Sequence, residues 1–279
     1  MNFRHLLCIS AAMISLPTGL AFAEETDFHP SLSDRFTFSA GAFRSTNTFK
    51  IKAEGSEIDG NYIDFGNSVG VEENNTIADI QLRWKFGSTK KWSIAGQYFK
   101  NDSTGTSTLK EDITFGDTTF DEGSFVDGGV TIEIARLFLG RSLILNDQTD
   151  FGVGLGIHNL DISAFIGGDI SINDSSTGER REKVNADGIL PNIGTWYNFS
   201  PSKKWLLHAR VDWISADIDE YDGSMWNTNA GVSYQAWRHI GFDLSYQYFN
   251  IDLNVSESTW KGGVDMTYSG PVISMTANW

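Results

Sequence analysis

Two histidines and a scatter of carboxylates are the side chains best suited to chemistry. An imidazole held against a carboxylate can move a proton near neutral pH, and His158 and His208 are the imidazoles that fall in regular, alternating stretches. Asp212 follows His208 by four residues, about 13 Å along one extended strand at roughly 3.3 Å per residue. A working pair would therefore need a carboxylate from a neighbouring strand. Asp79, Arg83, Lys85, Glu133, Arg210 and Asp243 are the other ionisable residues in such stretches. Asp217, Asp219, Glu220 and Asp222 precede Gly223 with the composition of a calcium loop. Their spacing does not match EF-hand ligands at positions 1, 3 and 5 before glycine at 6. The run reads as a solvated turn, with loose bridging by divalent ions as the other reading. No phosphate-cradling glycine loop, zinc-type spacing or nucleophile elbow occurs, so neither metal nor cofactor is expected.

What positions these residues is a two-residue alternation. Ile80, Leu82, Trp84 and Phe86 alternate with Asp79, Gln81, Arg83 and Lys85, and Trp92, Ile94 and Tyr98 with Ser93, Ala95 and Gln97. Ile132 and Ile134 oppose Thr131 and Glu133; Phe151, Val153, Leu155 and Ile157 oppose Gly152, Gly154, Gly156 and His158. Trp205, Leu207, Val211 and Trp213 oppose His208, Arg210 and Asp212, and Phe242, Leu244, Tyr246 and Tyr248 oppose Asp243, Ser245 and Gln247. Each stretch has one apolar and one polar face. With the apolar faces outward, Asp79, Arg83, Lys85, Glu133, His158, His208, Arg210, Asp212 and Asp243 form one interior polar network. Three glycines on one inner face imply a tight curve or large neighbours filling the space.

The connections alternate in length. Residues 87–91, 200–204 and 237–239 are short turns, whereas 52–75, 101–125 and 167–187 are long, polar and read as loops, the second with an extra hairpin near Leu109 to Phe115. Two turns echo each other: Phe86 and Trp92 bracket Gly-Ser-Thr-Lys-Lys, and Phe199 and Trp205 bracket Ser-Pro-Ser-Lys-Lys. Aromatics flanking lysines suit a membrane interface. Trp84, Phe86, Trp92, Phe199, Trp205, Trp237 and Trp279 are therefore expected there.

The amino terminus supplies an address. Arg4 and His5 precede an apolar run over 6–16, a break at 17–19, and Ala21, Phe22 and Ala23 before Glu24. This is the pattern of a secretory signal peptide over residues 1–23. The only cysteine, Cys8, lies within it and lacks the flanking small residues of a lipoprotein site. The remaining 24–279 read as one domain in which disulfide and thiol chemistry are excluded. Asp and Glu number 36 against 21 Lys and Arg, for a net charge of −15, which argues against a nucleic-acid partner. After residue 23 no stretch approaches the roughly 20 apolar residues of a spanning helix. If this chain crosses a membrane, it does so as β-structure.

The last stretch, GVDMTYSGPVISMTANW, places Pro271, Ile273, Met275, Ala277 and Trp279 on one face and Gly270, Val272, Ser274, Thr276 and Asn278 on the other. With its terminal aromatic, it resembles the closing strand of Gram-negative outer-membrane β-barrels. The resemblance covers the chain after the signal by pattern and not by a residue-specific signature. It implies an all-β fold, a closed antiparallel transmembrane barrel of about ten strands with eight or twelve as alternatives, in the cell outer membrane. Outer-membrane lipid, lipopolysaccharide and the barrel assembly machinery are the partners it implies, and a monomer the expected state. The function read from these features is a structural or surface-interaction barrel, with or without a narrow polar channel. Outer-membrane enzymes of this size, such as omptin-like proteases and lipid-modifying enzymes, use a His with a carboxylate or Ser, so a lipid-modifying or hydrolytic enzyme is the second reading. A soluble periplasmic β-sandwich that binds a ligand is the third.

Overall fold

A sheet in hydrocarbon must satisfy every backbone N–H and C=O within the protein, and only closure does this for strands. The computed structural model describes residues 28–54, 62–172, 175–218, 221–256 and 261–279, so the expected signal segment lies outside the described residues. In chain order the elements are α1 (Pro30–Ser33), β1 (Phe36–Glu54), β2 (Ile63–Asp64), α2 (Phe65–Val69), β3 (Asn74–Phe86), β4 (Trp92–Thr108), β5 (Ile113–Phe115), β6 (Thr118–Phe120) and β7 (Phe125–Leu145). They continue as β8 (Thr149–Ile172), β9 (Ser175–Ser202), β10 (Trp205–Ile218), β11 (Tyr221–Gln235), β12 (Ile240–Ser256) and β13 (Lys261–Asn278). All strands but β2, β5 and β6 form the wall, each antiparallel to its neighbours. β13 returns to β1 antiparallel from Thr37–Asn278 to Glu54–Lys261, in one register with a gap at Arg44 and Ser45. Ten strands therefore close a barrel, with Phe36 at the start of β1 and Asn278 at the end of β13 both at the short-turn end. The seam is tied off where Arg35 and Phe36 donate backbone N–H groups to the Trp279 carbonyl.

The wall changes polarity partway along each strand. Toward the turn end, apolar groups such as Leu139, Leu155, Leu207, Leu244 and Ile273 are exposed outside, and polar groups fill the inside. Toward the loop end the pattern inverts. On β7 the inward series runs Val130, Ile132, Ile134, then Arg136; the outward series runs Thr131, Glu133, Ala135, then Leu137. On β12 Phe249 and Ile251 are buried while Asp252 is outside, and on β1 Phe43 and Phe49 are buried while Arg44 is outside. Glu133 lies beside Asp161, and Asp161 beside Asp187, in one outward rank across β7, β8 and β9. The apolar belt thus stops below that rank. Beyond it the barrel is built like a soluble one, with a dry core and a wet wall. The groups that a sandwich would bury between two sheets face outward here, so the soluble sandwich is replaced by a closed barrel with a lipid-type exterior.

The aromatics expected at an interface gather at the turn end. Trp84, Trp92, Trp205, Trp237 and Trp279 are exposed on the exterior, and Phe86 and Phe199 are half-buried beside them. Phe36 stacks between Trp84 at 6.1 Å and Trp279 at 5.6 Å, carrying the girdle across the closing seam.

The loop end departs from expectation where strands run on into segments read as loops. In the region 167–187, read as a loop, the described residues are strand: β8 runs to Ile172 and β9 begins at Ser175, paired from Ile172–Ser175 downward. Polar residues mislead here because both faces of a hairpin standing beyond the membrane are free to be polar. The 101–125 region keeps β4 as far as Thr108 and then forms the small hairpin β5–β6. The 52–75 region contains β2 and α2, whose Asp64 cap accepts from the Asn67 N–H and whose Gly70 ends it at φ 78°.

β9 pairs with β10 only from Ser202 to Ile193, opposite Trp205 to Trp213. Among the described residues, β9 above Ile193 pairs with β8 alone. Pro191 stands two residues past the last pair, and its missing N–H cannot extend a ladder on both sides.

Inner glycines of β8 make room for large neighbours. A Cβ on Gly152 would lie 2.2 Å from Trp196 Cζ2 and 2.6 Å from the Arg141 carbonyl, and one on Gly156 2.7 Å from Phe138 Cδ2. Gly152→Val is expected to destabilise the barrel by about 1–3 kcal/mol through overpacking. The check is the temperature at which the folded, faster-migrating gel band converts to the unfolded one; an unchanged conversion temperature would contradict this packing.

Candidate functional site

The lumen is divided by the same polarity switch. In its outer half Phe43, Phe49, Phe99, Phe249 and Tyr268 meet edge to face, with ring centroids 5.6 to 6.5 Å apart. Phe65 of α2 and Phe115 and Phe120 of the β5–β6 hairpin fold into the same buried cluster. In the turn-end half the inward residues are charged, and pairing them across strands offsets their loss of water.

Three pairs organise this half, two of them buried and the third half-buried. Arg136 forks onto Asp212, Nε to Oδ2 at 2.6 Å and Nη2 to Oδ1 at 2.9 Å. Lys85 Nζ donates to Asp150 Oδ2 at 2.8 Å, while Ser142 and the Trp196 indole donate to Asp150 Oδ1. His208 Nε2 lies 2.7 Å from Asp243 Oδ2, to which Ser233 Oγ also donates at 2.5 Å. Asp79 accepts from Gln81 and Gln97, and Gln97 in turn accepts from Arg210 at 2.8 Å. His158 lies deeper, fully buried between Asn192 and Asn227, each 3.1 Å from a ring nitrogen. A chamber of about 180 Å³ remains among Arg83, Lys85, Arg136, His208, Arg210 and their partners.

The amino-terminal segment stops the turn end. Proline at the first turn starts α1, and the His29 side chain accepts from the Ser31 N–H. Arg83 donates to the Ser31 carbonyl at 2.8 Å, Lys85 to that of Leu32 at 3.2 Å and Lys90 to that of Ser33 at 2.5 Å. Ser31 Oγ donates to Asn278 on β13. With Nδ1 accepting, the buried Nε2 of His29 has no partner. Burial, reinforced by the positive charges of Arg83 and His208, lowers the His29 imidazole from its ordinary 6.5 to about 4.

Of the residues expected inside, Asp79, Arg83, Lys85, His208, Arg210, Asp212 and Asp243 come together around this half of the lumen, and His158 sits above them. Glu133 does not. It is on the exterior wall, because β7 crosses the polarity switch and the apolar Ile132 and Ile134 take the inward positions. Sequence reasoning missed Arg136, Asp150 and His29. Asp150 has the parity of Gly152 and Gly154, which could have placed it inside. Arg136 shares the parity of Ile134 and was hidden by the assumption that one face keeps one polarity. Among the described residues no group of three or more His, Cys, Asp or Glu side chains could hold a metal ion.

The His208, Asp243 and Ser233 group does not have the order of a nucleophilic triad. There the base contacts the nucleophile and the carboxylate orients the base; here serine and imidazole both bond the same carboxylate oxygen.

A closed antiparallel ten-stranded wall, apolar outside around its turn-end half and ringed there by aromatics, is the architecture of an outer-membrane β-barrel. One solved structure shares this fold, and others align more weakly. The outer membrane protease OmpT of Escherichia coli superposes with a TM-score of 0.62 at 11% identity, over 88% of this chain and 97% of that one. The toluene transporter TodX of Pseudomonas putida aligns at 0.36 and 8% identity over 91% and 93%. Ail, the attachment invasion locus protein of Yersinia pestis, aligns at 0.34 and 10% identity over 88% and 99%. The last two scores carry no argument, and the first defines fold alone. No protein-family model matches the sequence, and no curated protein sequence matches it.

Removing Arg136 would leave Asp212, whose side chain is fully buried, without its bidentate partner. Arg136→Ala is expected to cost about 3–5 kcal/mol, with much of it restored in Arg136→Met/Asp212→Leu. Urea unfolding of the refolded barrel measures both, and a double variant no more stable than the single one would contradict the pairing. His29 sets a pH dependence of the amino-terminal stop. Its neutral form is the docked one, so docking is complete above pH 6.5 and weakens as pH falls toward 4. Protease cleavage of the segment should increase over that window in the natural protein and not in His29→Asn.

Proposed function

We propose that this protein is a non-conducting outer-membrane barrel whose wall beyond the membrane serves surface interaction. The observation that carries the reading is the aromatic core in the outer half of the lumen, where Phe99 lies within 6.3 Å, centroid to centroid, of Phe43, Phe249 and Tyr268. Those rings occupy the path that an ion or polar solute would take. What is left accessible from outside is the wall itself, including the β8–β9 hairpin with Arg181 and Lys183 exposed and the unpaired edge of β9 above Ile193. Such an edge is a ready template for an added strand. In this reading the amino-terminal segment is a cleaved signal, the short turns face the periplasm, and lipid and lipopolysaccharide surround the belt. The terminal aromatic strand is read by the assembly machinery.

The enzyme reading has less support. His158 is locked between two amides, and His208 sits in the chamber behind the α1 stop. Planar-bilayer recording of the refolded barrel separates the closed reading from a channel. The natural protein should show no discrete conductance steps, and Phe99→Ala/Phe249→Ala should introduce them or increase their frequency. Stepwise conductance in the natural protein would overturn the proposal.

A further inference from the structure

We propose that the turn-end chamber is a binding site for a small oxyanion, an inorganic phosphate or a small carboxylate, held between the guanidinium groups of Arg83 and Arg210. This goes beyond the surface reading and does not depend on it.

The donors and acceptors around one cavity do not balance. Among the described residues, each of the four carboxylates of the turn-end half of the lumen already accepts at least two hydrogen bonds: Asp79 from Gln81 and Gln97, Asp150 from Lys85, Ser142 and Trp196, Asp212 twice from Arg136, and Asp243 from His208 and Ser233. Their negative charge is therefore committed to the wall. The donors are not exhausted. Arg83 directs only Nη2 to partners, the Ser31 carbonyl at 2.8 Å and Thr37 Oγ1 at 3.3 Å. It forms no carboxylate ion pair among the described residues. Arg210 directs Nη2 to Gln97 and approaches Asp212 to 3.7 Å through Nε, which is buried in the wall. Arg136 holds both oxygens of Asp212, which is what keeps Arg210 from them.

Both guanidiniums line the same chamber of about 180 Å³. Its share of liquid water would be about six molecules at roughly 30 Å³ each, and a tetrahedral or planar oxyanion fits within that volume. A guanidinium presents five donors in a rigid fork suited to such oxygens. A cation would find no uncommitted acid there, and an apolar ligand would strand the arginine donors. Arg83 also holds α1 through Ser31, so an anion on its free Nε and Nη1 would sit directly behind the amino-terminal stop.

The test uses the refolded barrel in detergent, with inorganic phosphate and acetate as separate probes at matched ionic strength. Phosphorus-31 line broadening of free phosphate reports binding to the natural protein without any variant. The expected result is saturable broadening by phosphate, reversed by acetate if carboxylates share the site, and a saturable rise in the temperature of the gel-band conversion. Arg210→Gln should weaken binding about tenfold or more while keeping the folded band. Filling the chamber through Leu206→Trp should abolish binding, and it removes no charge. Saturable protection by acetate alone would still support the site and narrow its class. The proposal is overturned if neither probe gives saturable binding, which leaves the chamber to water. It is also overturned if phosphate binds Arg210→Gln and Leu206→Trp as tightly as the natural barrel.

Discussion

The constraint on which everything else depends is the cost of an unpaired peptide group in hydrocarbon. An open sheet would leave two edges without partners, each group worth several kcal/mol in lipid. The pairing of β1 with β13 removes both edges along nearly their full length. Closure then forces the rest. A closed wall has an inside, the inside of a ten-stranded barrel is narrow, and side chains must fill it. This protein fills it in two ways, with mutually bonded charges at one end and packed rings at the other.

The two fillings solve different problems. Where the exterior must be apolar for lipid, the alternation of a strand sends every second, polar residue inward, and a buried ion is tolerable only when paired and hydrogen-bonded. The fork of Arg136 on Asp212 and the single bond of Lys85 to Asp150 are that solution. Where the exterior meets water the constraint lifts, and the strand can return to the arrangement of any soluble β-protein. Phe49, Ile132, Phe249 and Met266 are then free to pack into a dry core.

Much of the fold was legible in the sequence because the belt region obeys strict alternation. The strands through Trp84, Leu155, Leu207 and Leu244, the short turns, the strand count and the closing role of the last stretch all follow from that period. The hairpin of β8 and β9 was not legible, since the polar residues of 167–187 satisfy loop statistics as well as those of a strand that stands beyond the membrane. Glu133 failed for a related reason: its parity relative to Ile132 and Ile134 was right, but the direction assigned to that parity held only below the switch. The site was legible as a set of charges and not as a set of bonds. No spacing within one strand says that Arg136 and Asp212, seventy-six positions apart, will meet across the lumen.

The place where each strand changes its polarity also has a meaning for the whole body. A vertical slide of two residues inward would submerge the rank of Glu133, Asp161 and Asp187, and the same slide outward would lift Leu137, Ile157 and Ile189 into water. Charges forced into the hydrocarbon are destabilising, by about 2–4 kcal/mol for Arg or Lys at its centre and by less for carboxylates or near its edge. The molecule therefore carries its own waterline, and it floats at one draught whatever partners gather on the part that stands clear.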